Sequence, residues 1–169
     1  MIDTKTAQKF ESKLDGLLKA AQVAYGRNFS RPKIVFKQIG RTAGYAKCMP
    51  RTIILNPDFC KNGHLNDMLE DILPHELAHI ISVDRWGIIL GRGHKTAWKN
   101  TMTILGVEPK RCHSMNLTGV KTRKRKYFTY RCNCRTHEVS SIAHNRIKRG
   151  AVYTCRFCKS HLNAVVGVK

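Results

Sequence analysis

One short segment of the sequence carries residues that could bind a metal ion and activate water. Residues 75–79 read His-Glu-Leu-Ala-His. On a helix, His75 and His79 lie at positions i and i+4, so both imidazoles face one side and can bind the same ion. Zinc lowers the pKa of a bound water to about 7, and Glu76 is close enough to accept the proton of that water. The segment predicts a hydrolytic zinc site with Glu76 as the general base.

A hydrolytic zinc site needs a third protein ligand and one open position. Asp84 and Glu108 are possible carboxylate ligands downstream. His94 is the better candidate, because it follows the turn at residues 91–93 and opens a helix that can fold back on the first. The alternative is a helix with two ordinary surface histidines. It is disfavoured because the helix is otherwise apolar, and Glu76 on its inward face would be costly without a partner.

Four of the seven cysteines form two closely spaced pairs, Cys132 with Cys134 and Cys155 with Cys158. Two such turns build a closed tetrahedral zinc site, which stabilises a segment too small to fold on its own core. The alternatives are metal-free or redox-active pairs, or a site in which His137 or His161 replaces one thiolate. The remaining cysteines have no such spacing and are expected to be ordinary thiols: Cys48, Cys60 and Cys112.

The charge of the chain is high and uneven. The 169 residues carry a formal net charge of +20, which favours a polyanionic partner, most often nucleic acid. Residues 1–109 have a net charge of +6, and residues 110–169 have +14 with Glu138 as their one acid. The densest basic run, residues 121–126, is followed by the aromatic residues Tyr127, Phe128 and Tyr130. Basic and aromatic side chains together suit single-stranded DNA, although the aromatics could equally form the core of a small β module.

The hydrophobic pattern predicts an α+β chain with two domains. Helical spacing indicates helices over residues 6–25, 65–83 and 95–105, and Pro74 predicts a kink or break immediately before His75. Residues 33–36 and 52–55 are predicted strands of a small sheet, expected to be antiparallel because the connections are short. The domains are predicted as 1–115, which holds the histidines, and 116–169, a basic linker with the cysteine module.

The location of the protein is expected to be cytoplasmic. No apolar run approaches the roughly 20 residues that span a bilayer, and the first residues have no apolar segment of the secretory type. Thiols stay reduced in the cytoplasm, which favours metal over disulfides for the paired cysteines.

The ordered set of motifs resembles the bacterial branch of the SprT/Spartan-like zinc metallopeptidases. The resemblance covers about residues 25–160. Besides residues 75–79 and the paired cysteines, it is carried by the following segments: Gly93-His94-Lys-Thr-Ala-Trp98-Lys99, Thr42-Ala43-Gly44, Leu55-Asn56-Pro57, Leu105-Gly106-Val107, His144-Asn145-Arg146 and Arg149-Gly150. The family commonly has a glycine after the third histidine, whereas here Lys95 follows His94 and the glycine precedes it.

The resemblance implies a zincin-like catalytic domain, with helices packed on a small sheet, followed by a zinc ribbon. His75, His79 and His94 would bind the catalytic zinc, Glu76 would be the general base, and the four paired cysteines would bind a structural zinc. Eukaryotic relatives degrade proteins crosslinked to DNA, so DNA-bound proteins are the expected substrates, with DNA bound through the basic C-terminal region.

Two other functions fit the same residues. The chain could be a regulatory zinc-ribbon protein that binds nucleic acid and has a non-catalytic histidine site. It could also be a small peptidase that acts on free peptides, in which case no salt-sensitive DNA binding is expected. The oxyanion stabiliser beyond zinc stays open among Arg111, His113 and Tyr127.

Overall fold

A computed structural model describes residues 2–38, 40–112, 114–120 and 126–165. The chain forms two compact units, Met1–Thr122 and Arg123–Lys169. Both contain helices and a small sheet, so the α+β class predicted from the sequence is confirmed. The basic run at residues 121–126 lies outside the described residues except for Lys126.

The first unit begins with a long amphipathic helix, α1 (Thr4–Tyr25). The Asp3 side chain accepts a hydrogen bond from the backbone N–H of Thr6, and Gly26 ends the helix in the left-handed conformation. The buried face contributes a stripe of residues to the core: Phe10, Leu14, Leu17, Leu18 and Ala21. The helix predicted from hydrophobic periodicity is therefore confirmed.

A three-stranded sheet packs in the same unit, with strands β1 (Lys33–Phe36), β2 (Gly44–Lys47) and β3 (Thr52–Leu55) in the order β1-β3-β2. Both predicted strands are present, but the expectation of an antiparallel sheet is wrong. β1 and β3 pair in parallel, and β2 and β3 pair antiparallel. The reason is that the chain crosses from β1 to the far edge as β2, then turns back to place β3 between them.

The segment before the histidines is not one continuous α-helix. After α2 (Pro57–Lys61), a short helix α3 (Leu65–Asp67) leads into a π-helical segment (Met68–Ile72) and then α4 (Leu73–Gly91). The predicted break immediately before His75 is wrong in position, because α4 begins at Leu73 and Pro74 stands within its first turn. The irregularity lies upstream, in the π-helical segment.

Helix α5 (Thr96–Ile104) packs against α4 and agrees with the predicted third helix. The two helices share one core with α1 and the sheet. Almost fully buried members of this core come from all of these elements, among them Phe10, Ile53, Leu55, Leu77, Ile80, Ile81, Trp98 and Met102. This core fixes the two helices on which the predicted metal ligands lie.

The second unit is small. It contains strands β4 (Tyr127–Arg131) and β5 (Thr136–Ser140), helix α6 (Ser141–Lys148) and the short strand β6 (Asn163–Ala164). β4 is central and pairs antiparallel with both neighbours. The second unit has few buried apolar residues: Tyr130, Cys132, Val139 and Cys155.

Among the described residues, no helix is both long enough and apolar enough to cross a membrane.

Candidate metal centre

The three predicted histidines meet at one point in the first unit. His75 and His79 lie one turn apart on α4, and His94 lies in the turn before α5. One ring nitrogen from each falls within 4.8 Å of the others. The Nε2 atoms of His75 and His94 are 3.0 Å apart. The packing of α4 against α5 brings the downstream histidine back to the first two.

The donor set of this cluster fits zinc. Imidazole nitrogens bound to zinc at about 2.0–2.1 Å in a tetrahedral arrangement lie about 3.3 Å from one another, which is close to the 3.0 Å between His75 and His94. Burial, together with the neighbouring His75 and His94, lowers the pKa of His79 to about 3. Burial and the charge of Arg111 also lower the pKa of His94. Neutral imidazoles are the form that binds a metal ion.

Trp98 forms the base of the histidine cluster. Its side chain is 1% exposed, and its ring centroid lies 4.8 Å from that of His75 and 4.6 Å from that of His94. It stacks on His79 with an interplanar angle of 27°. The indole N–H also donates to the backbone carbonyl of His75 at 3.3 Å. Trp98 therefore fixes both the rings and the backbone that carries them.

Glu76 is buried beside the histidines, with 6% of its surface exposed. Burial raises the pKa of its carboxyl to about 7, and a hydrogen bond from the backbone N–H of Ala46 opposes that shift. Ala46 belongs to β2, which is one of the two edge strands of this sheet. Sequence patterns did not indicate this partner, because the region around Gly44 reads as a turn rather than as a strand.

The histidines and Glu76 open into a cleft of about 410 Å³. The β2 segment from Gly44 to Ala46 lines this cleft. Residues between the second and third histidines line it as well, among them Ile88 and Arg92. Arg111 also lines the cleft and is the cation whose charge acts on His94.

The other sequence candidates for this site lie elsewhere or are engaged. Asp84 accepts hydrogen bonds from Arg51 at 2.9 and 3.0 Å, and Glu108 pairs with Lys110 at 2.7 Å. His113 is outside the described residues.

Cys48 was expected to be an ordinary thiol, but it also lines the cleft. Its sulfur is 3.7 Å from the carbonyl oxygen of His79. Burial, and then the charges of Asp84 and Glu76, raise the pKa of the Cys48 thiol. The sulfur is therefore held as a neutral thiol, and no sequence spacing pointed to its position.

Comparison with known proteins places this site in a family. The model of the SprT-like family matches residues 14–118, a range that includes Glu76 and the three histidines. The chain belongs to the SprT-like family. It is 35% identical over 148 residues to Protein SprT of Escherichia fergusonii, with 87% of each chain covered. Protein SprT of Escherichia coli O1:K1 / APEC matches with the same identity and coverage. No solved structure matches the chain.

This SprT-like chain carries a second candidate metal centre beyond the range of the family match. The sulfur atoms of its four paired cysteines lie within 4.8 Å of one another: Cys132, Cys134, Cys155 and Cys158. The sulfurs of Cys132 and Cys134 are 3.4 Å apart, and those of Cys134 and Cys155 are 3.7 Å apart. Sulfurs bound to zinc at about 2.3 Å in a tetrahedron lie about 3.8 Å apart, so the donor set fits zinc.

Polar neighbours surround the cysteine cluster. The Nε2 atom of His137 is 3.1 Å from the sulfur of Cys132. Ser160 hydrogen bonds to the sulfur of Cys158 at 3.0 Å and lowers the pKa of that thiol to about 5. The four thiols are enough for a tetrahedral ligand set without a histidine, and His137 lies where it can hydrogen bond to the sulfur of Cys132. His161 forms an isolated β-bridge with Thr154.

The surface of the second unit is strongly basic. Its described residues include a set of exposed cations: Lys126, Arg131, Arg135, Arg146, Lys148, Arg149, Arg156 and Lys159. Glu138 is the one acid among residues 126–165. Exposed aromatic surface accompanies the charge, since Phe157 is 70% exposed and lies under the Arg135 guanidinium at 3.8 Å.

Proposed function

We propose that the chain is a zinc-dependent endopeptidase with a zincin-like catalytic unit. The observation that carries the proposal is the convergence of three imidazoles and a buried glutamate on a cleft bordered by an edge strand. Membership of the SprT-like family supports it. His75, His79 and His94 would hold the zinc, leaving one position for water or substrate.

The chemistry divides between the metal and Glu76. Zinc, when bound, polarises the scissile carbonyl and lowers the pKa of water. Glu76 accepts the proton of the attacking water and returns it to the departing amine. The Ala46 N–H orients the carboxylate for both steps, because it bonds to the same group. Arg111 lines the cleft and supplies positive charge for the oxyanion that forms on the carbonyl.

The edge strand β2 explains why the substrate would be a polypeptide. An edge strand offers unpaired backbone groups, and an extended peptide can add to it through main-chain hydrogen bonds. β3 pairs with one side of β2, and no other described strand pairs with its outer side. A chain laid along Gly44–Ala46 lies beside Glu76 and the histidines, since both line the same cleft.

We further propose that the second unit is a zinc ribbon that binds DNA, so that proteins on DNA are the local substrates. Eight exposed cations against one acid provide contacts to phosphates. Aromatic faces such as Phe157 provide stacking surfaces for bases. Tethering to DNA raises the effective concentration of substrate at the cleft.

The experiment compares cleavage by the wild type, Glu76→Gln and the control Glu70→Gln. The substrate is a basic DNA-binding protein crosslinked to an oligonucleotide, and zinc content is measured in each variant. We expect Glu76→Gln to keep its zinc and to cleave about 100- to 10,000-fold more slowly, and Glu70→Gln to match the wild type. Glu70 is an exposed acid that pairs with Lys13, outside the cleft.

Two results would count against the peptidase. Unchanged cleavage by Glu76→Gln shows that this mechanism is wrong. Equal DNA binding by the wild type and Glu76→Gln, with no cleavage by either, favours the regulatory nucleic-acid-binding protein. The free-peptide alternative requires that binding to the oligonucleotide be absent or insensitive to salt, whereas the proposal requires affinity that falls steeply with salt.

A further inference from the structure

An exposed apolar turn lies between the second and third histidines. Ile88, Ile89 and Leu90 are 64%, 80% and 61% exposed. Three consecutive large aliphatic side chains in water are costly, and such runs on a folded surface mark a binding site. We call these three residues the apolar ridge.

The backbone on either side fixes the apolar ridge in its exposed position. Gly87 has φ 74° and ψ 171°, which interrupts the helix, and the chain then folds back. Gly91 lies against the backbone of the same helix, since a Cβ atom there would be 2.3 Å from the carbonyl oxygen of Ser82. In a continuous helix, Ser82 and Gly91 would be nine residues and about 13 Å apart along the helix axis. The ridge is therefore the tip of a tight reversal.

The position of the apolar ridge identifies its occupant. Ile88 lines the same cleft as Glu76, the histidines and the β2 segment Gly44–Ala46. A polypeptide extended along β2 would therefore lie in the cleft that Ile88 also lines. Its side chains alternate in direction, so a large apolar one among them can contact Ile88. A bilayer or a second folded copy would contact Ile89 and Leu90 but would not enter the cleft beside Glu76.

The surroundings of the ridge add to this assignment. Arg92 and Lys95 border a shallow depression with Ile88 and Ile89. The Lys95 amine donates to the carbonyl of Ile89 at 3.4 Å, so one of these cations is partly engaged with the ridge backbone. An apolar floor with basic edges fits an aliphatic or aromatic side chain whose neighbours are neutral or acidic.

We propose that the apolar ridge forms an apolar subsite at the border of the cleft, which binds a large apolar side chain of an extended polypeptide. Ile88 lines the cleft itself, and Ile89 borders the adjoining depression with Ile88. Folded proteins bury such side chains, so the subsite selects unfolded segments as substrates. This inference rests on the proposed peptidase function, because it assigns the cleft to a polypeptide.

The test uses two fluorescent peptides of equal length that differ only in a Leu-Leu or Ser-Ser pair beside the cleaved bond. Anisotropy measures their binding to the Glu76→Gln chain, and initial rates measure their cleavage by the active chain. The variant is Ile88→Ser with Ile89→Ser. The matched control is Val23→Ser with Ile142→Ser, two aliphatic residues that are 75% and 69% exposed outside the cleft.

We expect the active chain to have a lower KM for the Leu-Leu peptide than for the Ser-Ser peptide. The ridge variant should raise the KM for the Leu-Leu peptide about tenfold, which corresponds to partial burial of one aliphatic side chain. Its kcat, its zinc content and its KM for the Ser-Ser peptide should stay unchanged. The control should behave as the wild type.

The inference is overturned if the Glu76→Gln chain binds both peptides equally, or if the ridge variant keeps the preference for Leu-Leu. Loss of vesicle binding or of self-association in the ridge variant, with peptide KM unchanged, would assign the ridge to a membrane or a second copy instead. If the Glu76→Gln chain prefers Leu-Leu but the wild type cleaves neither peptide, the subsite stands and the peptidase function fails.

Discussion

The histidine site and the cysteine site are held in place by different means. The histidines lie on α4 and in the turn before α5, whose inner faces belong to a core that includes Leu77, Ile80 and Trp98. The cysteines lie in turns beside short strands. The second unit has few buried apolar residues, and Cys132 and Cys155 are two of them, beside Tyr130 and Val139. We therefore expect the first unit to fold before metal binds, whereas we expect the second unit, which buries few apolar residues, to depend on metal for its folding.

The same difference separates the roles that the two sites can have. Four thiolates fill a tetrahedral shell and leave no position for a substrate. Three imidazoles leave one position open, and the buried Glu76 lies beside them. A complete shell suits a structural ion, and an incomplete shell with an adjacent base suits hydrolysis.

The largest expected effect is on the second unit. Cys155→Ser removes a buried thiol of the proposed zinc site, and structural zinc supplies about 10–16 kcal/mol of apparent binding energy in zinc-finger peptides. We expect residues 126–165 to unfold and one zinc to be lost, with the first unit unchanged. Hydrogen exchange, resolved by segment, measures this directly. Cys112→Ser is the control, since Cys112 is exposed and belongs to the first unit. If the backbone amides of β4 and β5 stay protected from exchange in Cys155→Ser, the second unit does not depend on metal for its folding, which would contradict the difference drawn between the two sites.

A smaller effect is expected at the turn that carries His94. Gly91→Ala places a Cβ atom 2.3 Å from the Ser82 carbonyl oxygen, so the turn must move. We expect zinc affinity at the histidine site to fall about 10- to 100-fold, the range seen when a group that orients a ligand is lost. Competition with a chromophoric chelator measures the affinity.

Gly16→Ala is the matched control for that prediction. Gly16 lies within α1, and nothing stands within 4 Å of an added Cβ. The substitution should leave zinc affinity unchanged and stabilise the helix by up to about 1 kcal/mol. Equal zinc affinity in Gly91→Ala and Gly16→Ala would show that the turn does not position His94.

Local patterns predicted the elements that have strong periodicity. Helices α1 and α5 and strands β1 and β3 follow the spacing of their apolar residues, and the spacing of His75, His79 and His94 indicated residues that the fold brings together. These predictions succeed because each depends on residues close in sequence, or on one helix folding back on its neighbour.

The features that were missed depend on contacts between distant segments. The parallel pairing of β1 with β3 follows from strand order, which no local pattern encodes. The hydrogen bond from Ala46 to Glu76 joins segments 30 residues apart. The exposure of Ile88–Leu90 is set by the reversal at Gly87 and the contact of Gly91 with Ser82, whereas an apolar run by itself indicates a core.

The smallest expected effect comes from the base of the histidine site. Trp98→Phe keeps an aromatic ring in place but removes the N–H that donates to the His75 carbonyl. We expect unfolding free energy to fall by about 1 kcal/mol or somewhat more, because one hydrogen bond to the His75 carbonyl is lost and the smaller ring fills less of a buried site. Urea denaturation of the zinc-loaded chain measures this. Zinc affinity should also fall in Trp98→Phe and stay unchanged in the control Trp86→Phe, since Trp86 packs on Tyr25 rather than on the histidines. An equal or larger loss of zinc affinity in Trp86→Phe would contradict the role given to Trp98.

The zinc content of the purified chain and of His75→Ala tests the central claim most directly. The account predicts two zinc ions per chain in the wild type and one in His75→Ala, with residues 126–165 still folded around the remaining ion. A wild type with one zinc that survives His75→Ala would contradict it, because the histidine cluster would then hold no metal.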